Sequence, residues 1–192
     1  MAIKPTRRGA VSSYMKHTMF DAETLGTTAD SVIMSIGAVK FDLDSDQIDD
    51  EGFYVSISIE SNLAAGRKIS EPTLKWWLQQ ERAAQNVFFE PKQVLEDALL
   101  SLSEWLGHSK RYVWSNGADF DLPLLAHAYA SFGYEPPWEF WNARCVRTYK
   151  TLPGVDSLPK PPNKLKHNAL ADAVAQAQYV QSVQRFLKGA KT

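Results

Sequence analysis

A single cysteine, Cys145, excludes an internal disulfide from the chain and fits a reducing compartment. Net charge is nearly absent as well, at -1 over 192 residues. No overall basic field marks a polyanion partner, so any such binding rests on local groups. No apolar run approaches the roughly 20 residues of a membrane span. The basic start MAIKPTRRGAVSSY lacks the apolar stretch of a secretion signal, so the expected location is cytoplasmic. What is present is 44% hydrophobic and 11% aromatic, which suits one compact domain with a core. Residues 1–15 read as a loose tail and 16–192 as a single domain.

Hydrophobic patterning sets out the elements. His17 to Asp21 reads as a short strand leading into DAETLG. The β-branched run SVIMSIGAVKF, Ser31 to Phe41, reads as a central strand, and GFYVSISI, Gly52 to Ile59, alternates like a third. Helical spacing follows over Thr73 to Gln80, with Leu74, Trp77 and Leu78 on one face, and over Pro91 to Leu106. RYVWS is a fourth strand. Asp121 to Phe132 is a helix with Pro123 tolerated in its first turn and Gly133 as its stop. Loops rich in proline cover 135–141 and 155–164, a further short strand falls between the last two helices, and Ala169 to Leu187 is the final helix. The order implies an α/β fold, a mixed sheet flanked by helices.

Carboxylates are usually solvated surface groups, and the informative ones break the local pattern. Asp21 and Glu23 follow Met19 and Phe20 at the end of a strand, where residues two apart face the same side. Two like charges so placed repel unless a cation lies between them, and hard cations such as Mg²⁺ take oxygen ligands of this kind. Asp121 follows the fourth strand in WSNGADFD, and Asp172 lies early in the last helix in KHNALADA. Asn168 is the expected N-cap there, leaving His167 just outside the helix. A helix N-terminus favours an acid for its dipole alone. All four acids, however, sit at element ends, where they can meet in one cleft. Together with a histidine they can hold two metals about 3.5–4 Å apart and act on a phosphodiester. Histidine suits the role of base, and of His17, His108, His127 and His167 the candidate is His167, which stands just before the helix that carries Asp172.

In this ordered set the chain resembles the DEDDh branch of the DnaQ-like 3′–5′ exonucleases, which share a ribonuclease H-like fold. The D-x-E motif is Asp21-Ala22-Glu23, the second motif runs from Asn116 to Phe120-Asp121, and the third is His167 with Asp172 five positions on. The stretches DAETLGTTADSVIMSIGAVKFD, TLKWWLQQERAAQNV, WSNGADFDLPLL and FWNARCVRT are most similar to phage-type exonuclease A proteins and ribonuclease AS. The resemblance implies a five-stranded mixed sheet, two Mg²⁺ or Mn²⁺ ions held by Asp21, Glu23, Asp121 and Asp172, and His167 as general base. It also implies a 3′-terminal nucleotide near Thr24 and Leu25. Asp119 competes with Asp121 for the second motif, and the aromatic-Asp pairing favours Asp121.

The expected partner is the 3′ end of single-stranded DNA or RNA. From Arg144 to Lys166 the basic residues are Arg144, Arg147, Lys150, Lys160, Lys164 and Lys166, against the lone acid Asp156. Such a strip suits a phosphate backbone, and Arg144 and Arg147 suit it best because arginine binds phosphate bidentately. Asn116 of the second motif joins them. Trp76, Trp77, Trp138 and Trp141 are candidates to stack bases. Trp77 shares a face with Leu74 and Leu78 and reads as core; Trp76 points elsewhere, towards the cleft. Leu25 is placed to wedge against the terminal base. The phage-type resemblance leans to DNA and the ribonuclease AS resemblance to RNA. Two other readings stand beside the polymer exonuclease: a catalytically silent nucleic-acid-binding domain, and a hydrolase of short oligonucleotides. Related ribonucleases are often dimers, so a homodimer is open by analogy.

Overall fold

The structure, a computed structural model, describes residues 15–107, 110–163 and 165–189. The tail expected over residues 1–15 lies outside the described residues except for Met15, which is buried. His108 and Lys164 lie outside them too.

Five strands form one mixed sheet: β1 (His17–Thr24), β2 (Ile33–Phe41), β3 (Phe53–Ser56), β4 (Tyr112–Ser115) and β5 (Ala143–Cys145), in the order β3-β2-β1-β4-β5. The first three make an antiparallel meander, while β4 and β5 run parallel to β1. Parallel pairing needs crossover connections, and helices supply them. They are α1 (Ile59–Ala64), α2 (Glu71–Trp77), α3 (Arg82–Gln85), α4 (Leu95–Leu106), α5 (Asp121–Ala130), α6 (Val146–Lys150) and α7 (Ala169–Gly189). Among the described residues no helix is long and apolar enough to cross a membrane.

The strand pleat divides the core. Phe20 and Ile36 face the side covered by α4 and α5, with Leu99, Leu102, Leu122 and Leu125. Met19, one residue from Phe20, and Val39, three residues on from Ile36, face α7 with Val180 and Val183. Every residue of β2 is buried, as expected of a strand covered on both faces. A third cluster joins Leu25, Val32 and Met34 to Trp77 and Val87.

Several expected boundaries move. The third strand stops at Ser56 rather than Ile59, because the Ser58 side chain accepts from the Ser61 amide and opens α1. The helix expected from Thr73 begins at Glu71, with Pro72 in its first turn, and ends at Trp77. The one expected from Pro91 begins at Leu95. Helices α1, α3 and α6 were not expected; α6 opens at Val146 in the FWNARCVRT stretch and runs past its end to Lys150.

Candidate active site

The alternation that puts Met19 against α7 also turns Asp21 and Glu23 to that face of β1. Strand β1 pairs with β4 only as far as Phe20 opposite Ser115, so both acids project past the end of the parallel pair. Helix α7 lies over β1 and β2 and brings Asp172 to them. Carboxylate oxygens of Asp21, Glu23 and Asp172 all lie within 4.8 Å of one another.

The N-terminus of α7 is fixed in three ways. The Asn168 side chain accepts from the Ala171 amide at 3.0 Å, the expected cap. The His167 amide donates to Asp172 Oδ2 at 2.9 Å, with His167 itself at φ 62°, a conformation uncommon outside glycine. The helix also sits flush on β2 at Gly37, where a Cβ would stand 2.1 Å from the Ala169 carbonyl carbon. Asn163 Nδ2 donates to Asp172 Oδ1 and Gln176 Nε2 to Asp21 Oδ1, both at 2.8 Å.

Asp121 opens α5 just after β4 and is buried, whereas Asp119 is exposed. Burial lifts the Asp121 carboxyl to about 6, against the pull of the Ser115 hydroxyl, the Ala22 amide and Arg147. Burial, then the charges of Asp172 and Asp121, push Glu23 up to about 8. Burial, then the charges of Asp121, Glu23 and Asp172, hold Asp21 well above the usual carboxylate range, against the hydrogen bond from Gln176. Asp172 is raised by burial. Among the described residues no lysine or arginine is ion-paired with any of the four. An oxygen-only donor set with converging like charges and no internal cation fits a hard divalent ion.

Two cavities flank the acids. One, of about 400 Å³, is lined by Glu23, Thr24, Trp76, Trp77 and Phe120. The other, of about 300 Å³, is lined by Asn116, Lys150, Lys160, Lys166, His167 and Asp172 among others.

A family profile described as the 3′–5′ exoribonuclease Rv2179c-like domain matches residues 16–184. The chain belongs to this family of 3′–5′ exonucleases. No curated protein matches it by sequence. Among solved structures, exonuclease X in complex with 5′-overhanging duplex DNA aligns over 88% of this chain and 92% of its own, at 18% identity and TM-score 0.54. A moderately thermophilic exonuclease I from Methylocaldum szegediense aligns over 90% of this chain and 42% of its own, at 13% identity and TM-score 0.61. Cell-death related nuclease 4 aligns over 88% and 64%, at 11% identity and TM-score 0.51. These likenesses give the exonuclease domain its ribonuclease H-like fold. Family membership implies divalent metals, which the acid cluster fits.

The other sequence-predicted positions of the exonuclease domain divide. Thr24 lines the first cavity, its carbonyl accepting from Trp77 Nε1 at 2.8 Å. Trp77 is core at 1% exposed; Trp76 is 42% exposed and meets His167 edge-on, ring centroids 5.0 Å apart. Asn116 lines the second cavity and accepts from Lys150 Nζ at 3.0 Å. Arg147 packs its guanidinium on Gly117, where a Cβ would stand 2.9 Å from Arg147 Cζ, and its charge reaches Asp121.

Leu25 and Arg144 are corrections. Leu25 is 1% exposed and packs in the third core cluster, so its side chain does not reach the cleft. Arg144 lies 4.5 Å over the Tyr112 ring and donates to the Trp141 and Ala143 carbonyls. Tyr112 begins β4 opposite His17, at the end away from Asp21. Trp138 packs on Phe20 and Tyr129, and exposed Trp141 packs on Phe140; neither lines the two cavities. His17 is enclosed by Phe41, Tyr112 and Trp114, and burial lowers it to about 4. The sequence reading missed Gln176, Asn163 and Gly37. Gln176 carried a usable signal, since it lies one helical turn beyond Asp172.

Proposed function

We propose that this exonuclease domain removes nucleotides one at a time from the 3′ end of single-stranded nucleic acid and releases nucleoside 5′-monophosphates. The observation that carries the reading is the convergence of Asp21, Glu23 and Asp172 beside His167, between two cavities. Asp21, Glu23, Asp121 and Asp172 would hold two Mg²⁺ or Mn²⁺ ions. When bound, such ions neutralise charge developing on the attacking and leaving oxygens. His167 takes the proton of the attacking water at a ring nitrogen. The water oxygen bonds to phosphorus as the bond to the preceding 3′ oxygen breaks, and that oxygen takes a proton from solvent.

The first cavity supports binding of the terminal nucleotide. Trp76 and Phe120 offer rings to its base, Thr24 adds a polar edge, and Glu23 lies in the same wall. Arg147 and Asn116 are assigned to the scissile phosphate and the strand beyond it. The exoribonuclease description of the matched family favours RNA as the first polymer to test, against the sequence-level lean to DNA. A homodimer stays part of the proposal by analogy and is checked by sedimentation.

The deciding experiment compares 5′-labelled RNA and DNA of one sequence with Mg²⁺, Mn²⁺ or EDTA, beside the Asp21→Ala protein. A metal-dependent ladder shortening from the 3′ end and absent in the variant is expected, with the faster polymer identifying the sugar. No ladder on either polymer with any metal would overturn the reading.

A further inference from the structure

One buried charge takes no part in the acid cluster. Arg67 is 2% exposed, and among the described residues no carboxylate pairs with it. Its side-chain partners lie in two other segments. Nε donates to the Ser31 carbonyl at 2.7 Å and Nη2 to the Ala29 carbonyl at 3.0 Å, both in the loop that follows β1. Nη2 also reaches the Leu124 carbonyl at 3.5 Å, and Nη1 lies 3.3 Å from His127 Nδ1, both on α5. A guanidinium only donates, so His127 Nδ1 accepts this bond. Taking a charge out of water is costly, and an apolar side chain of similar volume would fill the same space at less cost. What it could not do is bond the carbonyls of a loop and a helix at once.

The segments that meet at Arg67 are walls of the cavity beside Glu23. The loop contributes Gly26 and Thr27, the residue before α5 is Phe120, and α2, which follows Arg67 in the chain, contributes Thr73 and Trp76. Backbone pairing ties the arginine's own segment, residues 67–70, to the loop. The Lys68 amide donates to the Asp30 carbonyl at 2.8 Å, the Ser70 amide to the Leu25 carbonyl at 2.7 Å and the Val32 amide to the Lys68 carbonyl at 2.9 Å. We propose that Arg67 is a positioning residue for the substrate: its guanidinium holds loop 26–31, α2 and α5 at the spacing that receives the terminal nucleotide, without touching it. The cavity is then built before the strand arrives, and binding does not have to order the loop. The inference rests on the exonuclease reading above and its placing of the terminal nucleotide, and adds the residue that shapes that cavity.

The test compares wild type with Arg67→Met, Arg67→Lys and Lys68→Gln, at a temperature where thermal melts show each to be folded. It reads KM and kcat on a long single strand, and calorimetric affinity for each of the common nucleoside 5′-monophosphates with Mg²⁺. Arg67→Met is expected to raise KM and weaken monophosphate binding about tenfold, as when the walls stand in place a tenth of the time. Its kcat and Mn²⁺ affinity stay close to wild type. Arg67→Lys keeps the charge without the planar fork and is expected to recover part of the loss; it also keeps the test open should Arg67→Met fail to fold. Lys68→Gln, which breaks only the surface pair with Asp30, is expected to change neither quantity. KM and monophosphate affinity within twofold of wild type in every folded Arg67 variant would make Arg67 a purely structural residue and overturn the inference. A loss confined to kcat, or an equal rise of KM in Lys68→Gln, would overturn it too. Failure of the wild type to shorten the strand is instead failure of the exonuclease reading.

Discussion

Gln176 Nε2 donates to Asp21 Oδ1 at 2.8 Å, from one turn beyond Asp172 on the same helix. The helix that delivers one acid thus also orients another. Partners of this kind tune metal sites, and their loss typically costs about 10–100-fold in affinity. Gln176→Leu should therefore weaken Mn²⁺ binding in that range, read by spin-resonance titration without substrate. Affinity within twofold of wild type would show that Asp21 is held by other means.

The raised carboxyls fix the sign of a pH effect. Glu23 at about 8 and Asp121 at about 6 hold protons in the folded protein that the unfolded chain releases near pH 4. Stability therefore falls as pH rises from the unfolded values through the folded ones. In EDTA the melting temperature should drop between pH 5 and 8.5, and Mn²⁺ should restore most of it at the upper end. A melting temperature in EDTA that is flat or rising over that interval would count against the buried, mutually repelling cluster.

The three motifs were legible because each occupies an element end that patterning alone identifies: the exit of β1, the turn after β4 and the start of α7. The sheet was legible too, as β2 is mostly apolar, with Ser35 and Lys40 the exceptions, and β1 carries its two acids just before its end. What patterning does not carry is direction across space. Arg144 and Arg147 sit three residues apart in one basic strip. β5 aims the first over Tyr112 and the opening turn of α6 carries the second to Gly117. Leu25 follows the acids in sequence, yet the irregular pairing between Glu23 and Thr24 precedes it and its side chain packs in the core instead of the cleft.

Gly37 shows how packing reaches the site. An alanine Cβ there would stand 2.1–2.4 Å from the backbone of Ala169 and Leu170, which cannot rotate away. At Gly52 the first obstacle is Leu170 Cδ1 at 2.6 Å, the end of a flexible side chain. Gly37→Ala should cost about 1–3 kcal/mol, as overpacking does, and also weaken Mn²⁺ binding, because α7 must lift and take Asp172 with it. Gly52→Ala should be milder on both counts. Equal effects in thermal melts and metal titrations would remove the link between this contact and the site.

His167 stands at the junction of both cavities' chemistry, its amide on Asp172 and its ring against Trp76 and Trp77. His167→Ala should lower kcat by about 10²–10⁴-fold, the usual range for a general base, with Mn²⁺ affinity nearly unchanged. A kcat within tenfold of wild type would assign the proton to another acceptor.

Adjacent tryptophans separate binding from folding. Trp77 is 1% exposed and its Nε1 donates to the Thr24 carbonyl at 2.8 Å, so it supports the strand that carries the acids. Trp76 is 42% exposed, lines the cavity beside Glu23 and lies edge-on to His167. Trp77→Ala should therefore cost about 3–5 kcal/mol of stability, as large aromatic deletions from a core do. Trp76→Ala should leave the melting temperature within a few degrees and raise KM about tenfold or more, since stacking contributes about 1–3 kcal/mol per base. If Trp76→Ala instead lowers kcat with KM unchanged, its role is to hold the His167 ring rather than the base. Parallel measurements with His167→Ala would show this, because the two losses would then fail to add.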